Sequence, residues 1–373
     1  METGMIDWQR IWNDNENIKR FSPIRAILLF PSLFYRLVVE LRNQLYSKNI
    51  ISSSNLMCPV ISVGNITVGG TGKTPCVIML AKILQADGFR PAVISRGYGG
   101  RNTGGINVVS DGENIMLDAK TAGDEPVLMA QSLPGVPVLT GARRAKTGIF
   151  AIERFGANVI ICDDAFQHRQ IARTIDLVLL DYKKPFGNGR LLPAGPLRET
   201  VKELSRANCL MLTRAEGEIK ASKKIAEIIK DRTPPIFYSI HEPESIVQAK
   251  GKSILAMDNL KNKKVCAFCG IANPDSFKKA LLGAQANILS FNPFPDHYSY
   301  TRYDLEELKK QFISARADYL ITTEKDAARL PGHPEFLETL WILRITMKIK
   351  PAAAEPLFKK FILQCLKEGA DKK

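Results

Sequence analysis

The sequence predicts a doubly wound α/β sheet, and three observations carry that prediction. Short, continuously apolar runs such as "NVIICDDAFQH" and "IDLVLLDY" suit strands of a parallel sheet buried on both faces. These runs alternate with stretches of helical character, as in "PCVIMLAKILQADG" and "RRAKTGIFAIERFG". Glycine-rich loops follow several of the runs, where such sheets bind their ligands.

The elements justify themselves in order. "METGMIDWQRIWNDNEN" is polar and acidic, with no basic start leading into an apolar run, so a signal peptide is not expected. Over 18–46 comes a stretch in which Ile24, Ile27, Leu28, Phe34, Leu37, Val38, Leu41 and Leu45 fall near helical spacing among lysines and arginines. Its longest uncharged run, 26–35, is about half of the roughly 20 residues that span a bilayer. Two readings fit the pattern: a helix lying in an anionic membrane interface, or one packed on the protein's own core. From about residue 58, "PVISVGN" reads as a strand, then a glycine loop, then a helix. "RPAVISRGYGG" is a strand and loop, 101–117 is hairpin-like, and "AGDEPVLMAQSL" is a helix. "VPVLTG" is a strand, and the helix "RRAKTGIFAIERFG" leads into the two apolar strands. A second, smaller α/β lobe is expected from about 246, where "KKVCAFCGIANPDSFKKALLG", "ANILSFNPFPDHYSYTRYDLEELKKQFI" and "ADYLITTEKDAARL" each run strand to helix. The expected organisation is therefore a helical region over 1–50, a core domain over 51–245 and a small lobe over 246–373.

Composition narrows the function classes. The 373 residues allow one large or two moderate cores. A formal charge of +14 calls for an acidic partner: nucleic acid, anionic lipid or a phosphorylated substrate. The seven cysteines form no regular framework, which favours a reducing, cytoplasmic compartment. Cys266 and Cys269 make a lone CxxC, read either as a redox pair or as part of a buried strand entering a glycine turn.

The chemistry starts in "SVGNITVGGTGKTP". Its octet Thr67, Val68, Gly69, Gly70, Thr71, Gly72, Lys73, Thr74 matches the phosphate-binding loop G-x-x-x-x-G-K-[ST] at every position but the first. The glycines let successive N–H groups point at one anion. Lys73 suits the β- and γ-phosphates of ATP, and Thr74 suits Mg²⁺. Pro75 belongs in the first turn of a helix whose N-terminus favours the same anion. This narrows the class to a P-loop-containing NTPase-like fold. Asp163 and Asp164 end another apolar strand, where such folds hold the metal. Asp124 and Glu125 open a helix, and Asp124 is explained equally as its N-cap. Asp296 and His297 lie in a loop, and an Asp–His pair suits removal of a hydroxyl proton. Arg96, Arg143, Arg144, Arg190 and Arg198 lie beside glycines, and their forks suit phosphate.

In order, "SVGNITVGGTGKTP", "VISRGYGG", "AGDEP", "ICDDAFQH", "GRLLPAGPLRE", "FCGIANPDSF", "FPDHYSY" and "TTEKDAARL" resemble the tetraacyldisaccharide 4′-kinase family over nearly the whole chain. The resemblance implies ATP-dependent phosphorylation of a tetraacyl disaccharide 1-phosphate at the cytoplasmic face of the bacterial inner membrane, with no nucleic acid partner. It implies Lys73 and Thr74 on the nucleotide, Asp124 as the catalytic aspartate with His297 beside it, and Asp163 and Asp164 as the acidic pair. Gln167 and His168 complete that last motif, and Arg96, Arg144 and Arg198 are candidates for phosphates of lipid or nucleotide. It also turns the basic, apolar helix toward a membrane-docking role. Ala165 departs from the family's frequent glycine, adding one methyl that discourages positive φ while the acidic ligands stay intact. The alternative function is a switch or partitioning NTPase whose charge binds nucleic acid.

Overall fold

A computed structural model describes residues 12, 23–97, 100, 105–217, 225, 234–251, 253–330 and 334–370. The chain begins with helix α1 (Pro23–Ser47), strand β1 (Val60–Asn65), helix α2 (Lys73–Ala86), β2 (Pro91–Ser95) and β3 (Asn107–Ser110). It continues with α3 (Ala119–Ala122), α4 (Asp124–Ser132), β4 (Val138–Thr140), α5 (Arg144–Phe155), β5 (Val159–Asp163), β6 (Ile175–Asp181) and β7 (Cys209–Thr213). Then follow β8 (Ile236–Gln248), β9 (Ile254–Ala256), β10 (Lys264–Cys269), α6 (Pro274–Gly283) and β11 (Asn287–Pro293). The last elements are α7 (Arg302–Ser314), β12 (Tyr319–Thr323), α8 (Glu324–Ala327), α9 (Pro334–Leu337), β13 (Leu340–Lys350) and α10 (Glu355–Ala370).

By its contacts the chain forms two compact units, each assembled from separated segments. The first comprises Met1–Cys76, Arg143–Ile240 and Ile349–Lys373; the second comprises Val77–Ala142 and His241–Lys348. The division expected from the sequence ran 1–50, 51–245 and 246–373, and residue 245 falls inside β8. That three-part division remains a proposal about chain organisation.

In the first unit β1 lies between β5 and β6, and β7 and the start of β8 extend the sheet, all parallel. Every residue of β1, β5 and β7 is buried, as the unbroken apolar runs require. Val63 pairs with Asp163 and Asn65 with Leu179, which brings the carboxyl ends of β1, β5 and β6 to one edge. Phe166, Leu180, Phe186 and Leu212 form part of the core beside that edge.

Helix α1 belongs to this unit and packs on it along one side. A narrow polar face packs inward: the Ser32 hydroxyl donates to the Leu191 carbonyl at 3.0 Å, and the Tyr35 hydroxyl to the Arg198 carbonyl at 3.0 Å. Arg42 and Asn43 reach the fully buried Glu199, which also pairs with Arg206. The apolar face stays outside, with Phe30 82 % and Leu37 64 % exposed. Residues 18–22, also assigned to this helix from the sequence, lie outside the described residues. No described helix is long and apolar enough to cross a membrane.

In the second unit β2 pairs parallel with β4, and β3 antiparallel with β4. A further parallel set runs β11-β10-β12-β13. Asn273 caps α6 and a Thr301–Asp304 capping box opens α7, the local chemistry that starts helices after these strands. The CxxC resolves as part of the buried strand β10. Cys266 and Cys269 are free and buried, and burial pushes the Cys269 thiol up to about 12, the opposite direction to that of a reactive cysteine.

Candidate active site

The phosphate loop occupies the turn from β1 to α2. Gly69 (φ 105°) and Gly72 (φ 86°) take left-handed backbone that side chains disfavour, and Thr67 does not. Thr67 instead forms a backbone bridge to Leu197, flanked by Val68 N–H to the Pro196 carbonyl (2.8 Å) and Arg198 N–H to the Ile66 carbonyl (2.8 Å). Pairing of this kind needs extended backbone, so a threonine serves where the usual loop has its first glycine. Inside the loop, Asn65 Nδ2 donates to the Thr71 hydroxyl (2.9 Å) and the Thr213 hydroxyl to the Thr71 carbonyl (2.9 Å). Arg214 donates to the Gly70 carbonyl and pairs with Asp181 at 2.8 Å. Lys73 opens α2, and Thr74 is buried beside it.

The acidic motif forms a turn packed on β1. A Cβ on Gly64 would stand 2.6 Å from Phe166 Cβ, so only glycine lets this turn approach. Asp164 takes positive φ (47°), whereas Ala165 does not, so the alanine's methyl meets no positive-φ penalty. Arg144, buried at the start of α5, donates to the Asp163 carbonyl (2.7 Å) and the Asp164 carbonyl (3.1 Å). Gln167 Nε2 donates to the Asn65 carbonyl at 2.8 Å, joining the turn to the loop. The Asp164 carboxylate accepts from Arg198 Nη1 at 2.9 Å on both oxygens and lies 3.6 Å from Lys73 Nζ. Burial alone would raise this carboxyl, but Lys73 and Arg198 override it and hold it below its ordinary value.

No group of three or more His, Cys, Asp or Glu suited to a metal occurs among the described residues. A magnesium ion fits here by donor chemistry instead: the Thr74 hydroxyl and an Asp carboxylate from the end of β5 are hard oxygen ligands, and such sites leave the remaining positions to phosphates and water. With Asp164 engaged by two cations, Asp163, buried at the end of β5, is the carboxylate that suits the role.

The second unit holds the other cluster. Gly123, not Asp124, is the N-cap of α4, so capping does not explain Asp124. Its nearly buried Oδ2 accepts from Arg329 Nη2 (2.6 Å) and Nε (3.0 Å) and lies 3.1 Å from His297 Nδ1. Oδ1 accepts the Glu125 N–H at 3.0 Å. His297 thus faces Asp124 more closely than its neighbour Asp296, whose Oδ2 is 3.9 Å from Nε2. Burial would raise the Asp124 carboxyl, but hydrogen bonds and charge from His297 and Arg329 prevail and hold it well below the usual carboxylate range. The hydrogen bond to Asp124 raises the His297 imidazole against its partial burial. Lys325 Nζ meets Glu125 Oε1 at 2.9 Å beside this pair.

The structure therefore brings Lys73, Asp164, Arg198, Arg144 and Gln167 together in one cluster, and Asp124 with His297 in another. His168 follows in the same turn, with its carbonyl accepting from Arg173 at 3.2 Å. Arg96 is exposed directly after β2. Sequence reasoning did not find Arg329, Lys325 or Arg214. The only signal for the first two was "TTEKDAARL", where Lys325 and Arg329 stand one helical turn apart after a strand.

The family profile described as LpxK, tetraacyldisaccharide-1-P 4′-kinase, matches residues 24–364. The tetraacyldisaccharide 4′-kinase of Syntrophus aciditrophicus (strain SB) is 43 % identical over 372 residues, covering 97 % of this chain and 98 % of that protein. That of Desulfatibacillum aliphaticivorans is 39 % identical over 347 residues, covering 91 % and 93 %. Among solved structures, the "apo" form of LpxK from Aquifex aeolicus in complex with ATP superposes with a TM-score of 0.76 at 35 % identity, covering 92 % of this chain and 99 % of that one.

Proposed function

This chain belongs to the tetraacyldisaccharide-1-phosphate 4′-kinase family, and from that premise we propose that it transfers the γ-phosphoryl group of ATP to the 4′-hydroxyl of tetraacyldisaccharide 1-phosphate, forming lipid IVA. The observation that supports this reading best is Lys73 at the start of α2, set against Asp164 and Arg198 beside a loop shaped for phosphate. The switch-NTPase alternative rested on charge and the loop alone, and the family match does not favour it.

Loop N–H groups and Lys73 neutralise charge on the transferred group. Thr74 and Asp163 would hold magnesium, which would supply charge neutralisation at the phosphates of ATP. Asp124 takes the 4′-hydroxyl proton on Oδ1, and His297 orients and tunes it from Oδ2. Arg144 and Gln167 act as supports, because their donors hold the acidic turn. Arg198 braces Asp164 and keeps further donors for phosphate, and Arg96 and His168 are the remaining candidates for the substrate's phosphate. The exposed apolar face of α1 docks on the anionic cytoplasmic face of the inner membrane, where a four-chain lipid resides.

Incubation with labelled ATP and tetraacyldisaccharide 1-phosphate is expected to give a bis-phosphorylated lipid. Asp124→Asn should lower kcat by about 100-fold or more and leave ATP affinity within about twofold. An unchanged kcat removes Asp124 from the role of proton acceptor.

A further inference from the structure

We infer that Arg329 is a positioning residue for phosphoryl transfer, clamping one oxygen of Asp124 so that the other is presented to the acceptor hydroxyl. The inference rests on the reading of Asp124 as proton acceptor. Its geometric basis is the unequal use of the two carboxylate oxygens. Both Nε and Nη2 of Arg329 donate to Oδ2, at 3.0 and 2.6 Å, and His297 Nδ1 approaches the same atom at 3.1 Å. A side-on arginine pair usually places one donor on each oxygen. Here Oδ1 accepts only the N–H of Glu125 among the described residues and keeps a lone pair for a substrate proton.

The clamp is itself anchored. Arg329 Nη1 donates to the Gly270 carbonyl (3.0 Å) and to Asp326 Oδ1 (3.2 Å). Asp326, fully buried, also accepts from the Gly270 N–H (2.9 Å), the Tyr300 hydroxyl (2.8 Å) and the Thr323 hydroxyl (2.6 Å). The Gly270 carbonyl that receives Arg329 also receives the His297 N–H at 3.2 Å. Both side-chain partners of Asp124 Oδ2 therefore hang from one carbonyl. An arginine serving stability alone would contribute little, because desolvation of a buried ion pair offsets most of its attraction. Holding a reacting oxygen to within a fraction of an ångström is worth far more at a transition state.

The clamp also carries charge. The ionisable groups around Asp124 are Arg329 and Lys325 from the 324–329 segment, His297 and Asp296 from the loop after β11, Glu125 from its own helix, and Asp326 behind Arg329. With Arg329 neutralised, burial again raises the Asp124 carboxyl.

The test compares Arg329→Lys, Arg329→Gln and Asp124→Asn in the full chain, measuring kcat, KM for ATP and melting temperature. Arg329→Lys keeps the charge and loses the fork, so kcat should fall about tenfold or more. Arg329→Gln should lower kcat further, with KM for ATP within about twofold in both variants. Wild-type kcat in either Arg329 variant, or a KM for ATP that rises in step with the loss of kcat, overturns the inference. Should Arg329→Gln not fold, Arg329→Lys decides: lower kcat at an unchanged melting temperature supports the clamp, and loss of kcat only in step with melting temperature overturns it. Wild-type kcat in Asp124→Asn defeats the underlying reading, and the clamp falls with it.

Discussion

Gly64 sits in the middle of a sheet without a turn or positive φ to explain it, and its reason is contact. The Phe166 backbone nitrogen would lie 2.7 Å from a Cβ there, so the acidic turn closes on β1 only over a bare Cα. Gly64→Ala is expected to cost about 1–3 kcal/mol as an overpacked contact, seen as a lower denaturation midpoint with an unchanged slope. In the pair Asp164 and Ala165 the left-handed residue is the aspartate. A methyl at 165 meets no such backbone penalty. Arg329 was not legible at this scale. Its partner Asp124 is 205 positions away, and nothing local marks an arginine as the fork for a distant carboxylate.

Among the elements, α1 shows how a pattern can be right and its orientation undetermined. Helical spacing of apolar residues was visible in the sequence, but the same spacing serves a helix buried against its own core. The orientation on its unit came from Ser32, Tyr35, Arg42 and Asn43, polar groups whose partners lie in the 191–199 segment. They tie down one face and leave the apolar face outside. Replacing exposed Phe30 and Leu37 together by glutamate should weaken binding to anionic vesicles about tenfold or more. Nucleotide affinity, measured without lipid, should stay within about twofold. Equal vesicle binding by the double variant would show that α1 does not dock. The phosphate loop was more legible, since its glycines and lysine are contiguous. Its backbone pairing with the 196–198 segment was not, because bridges between loops leave no periodic signal.

For the whole molecule, the charge of +14 would add a long-range attraction for anionic lipid to the apolar docking proposed for α1. Binding to vesicles containing anionic lipid should therefore fall about tenfold as salt rises from about 0.05 to 0.5 M. Binding that ignores salt would assign the interaction to apolar insertion alone. The chain order also conceals the compact units, since each is built from separated segments and β8 and β13 each pass from one to the other. A reading along the chain places boundaries where composition shifts, and composition does not shift in the middle of a strand.

The sequence by itself determined the α/β class, the phosphate loop with Lys73 and Thr74, and the family, because these depend on contiguous motifs and on apolar periodicity. Only the tertiary structure decided which carboxylate of the acidic pair is braced by Lys73 and Arg198, which face of α1 stays bare, and that Arg329 holds Asp124. Those outcomes turn on side chains far apart in the chain meeting within about 3 Å, where hydrogen bonding begins.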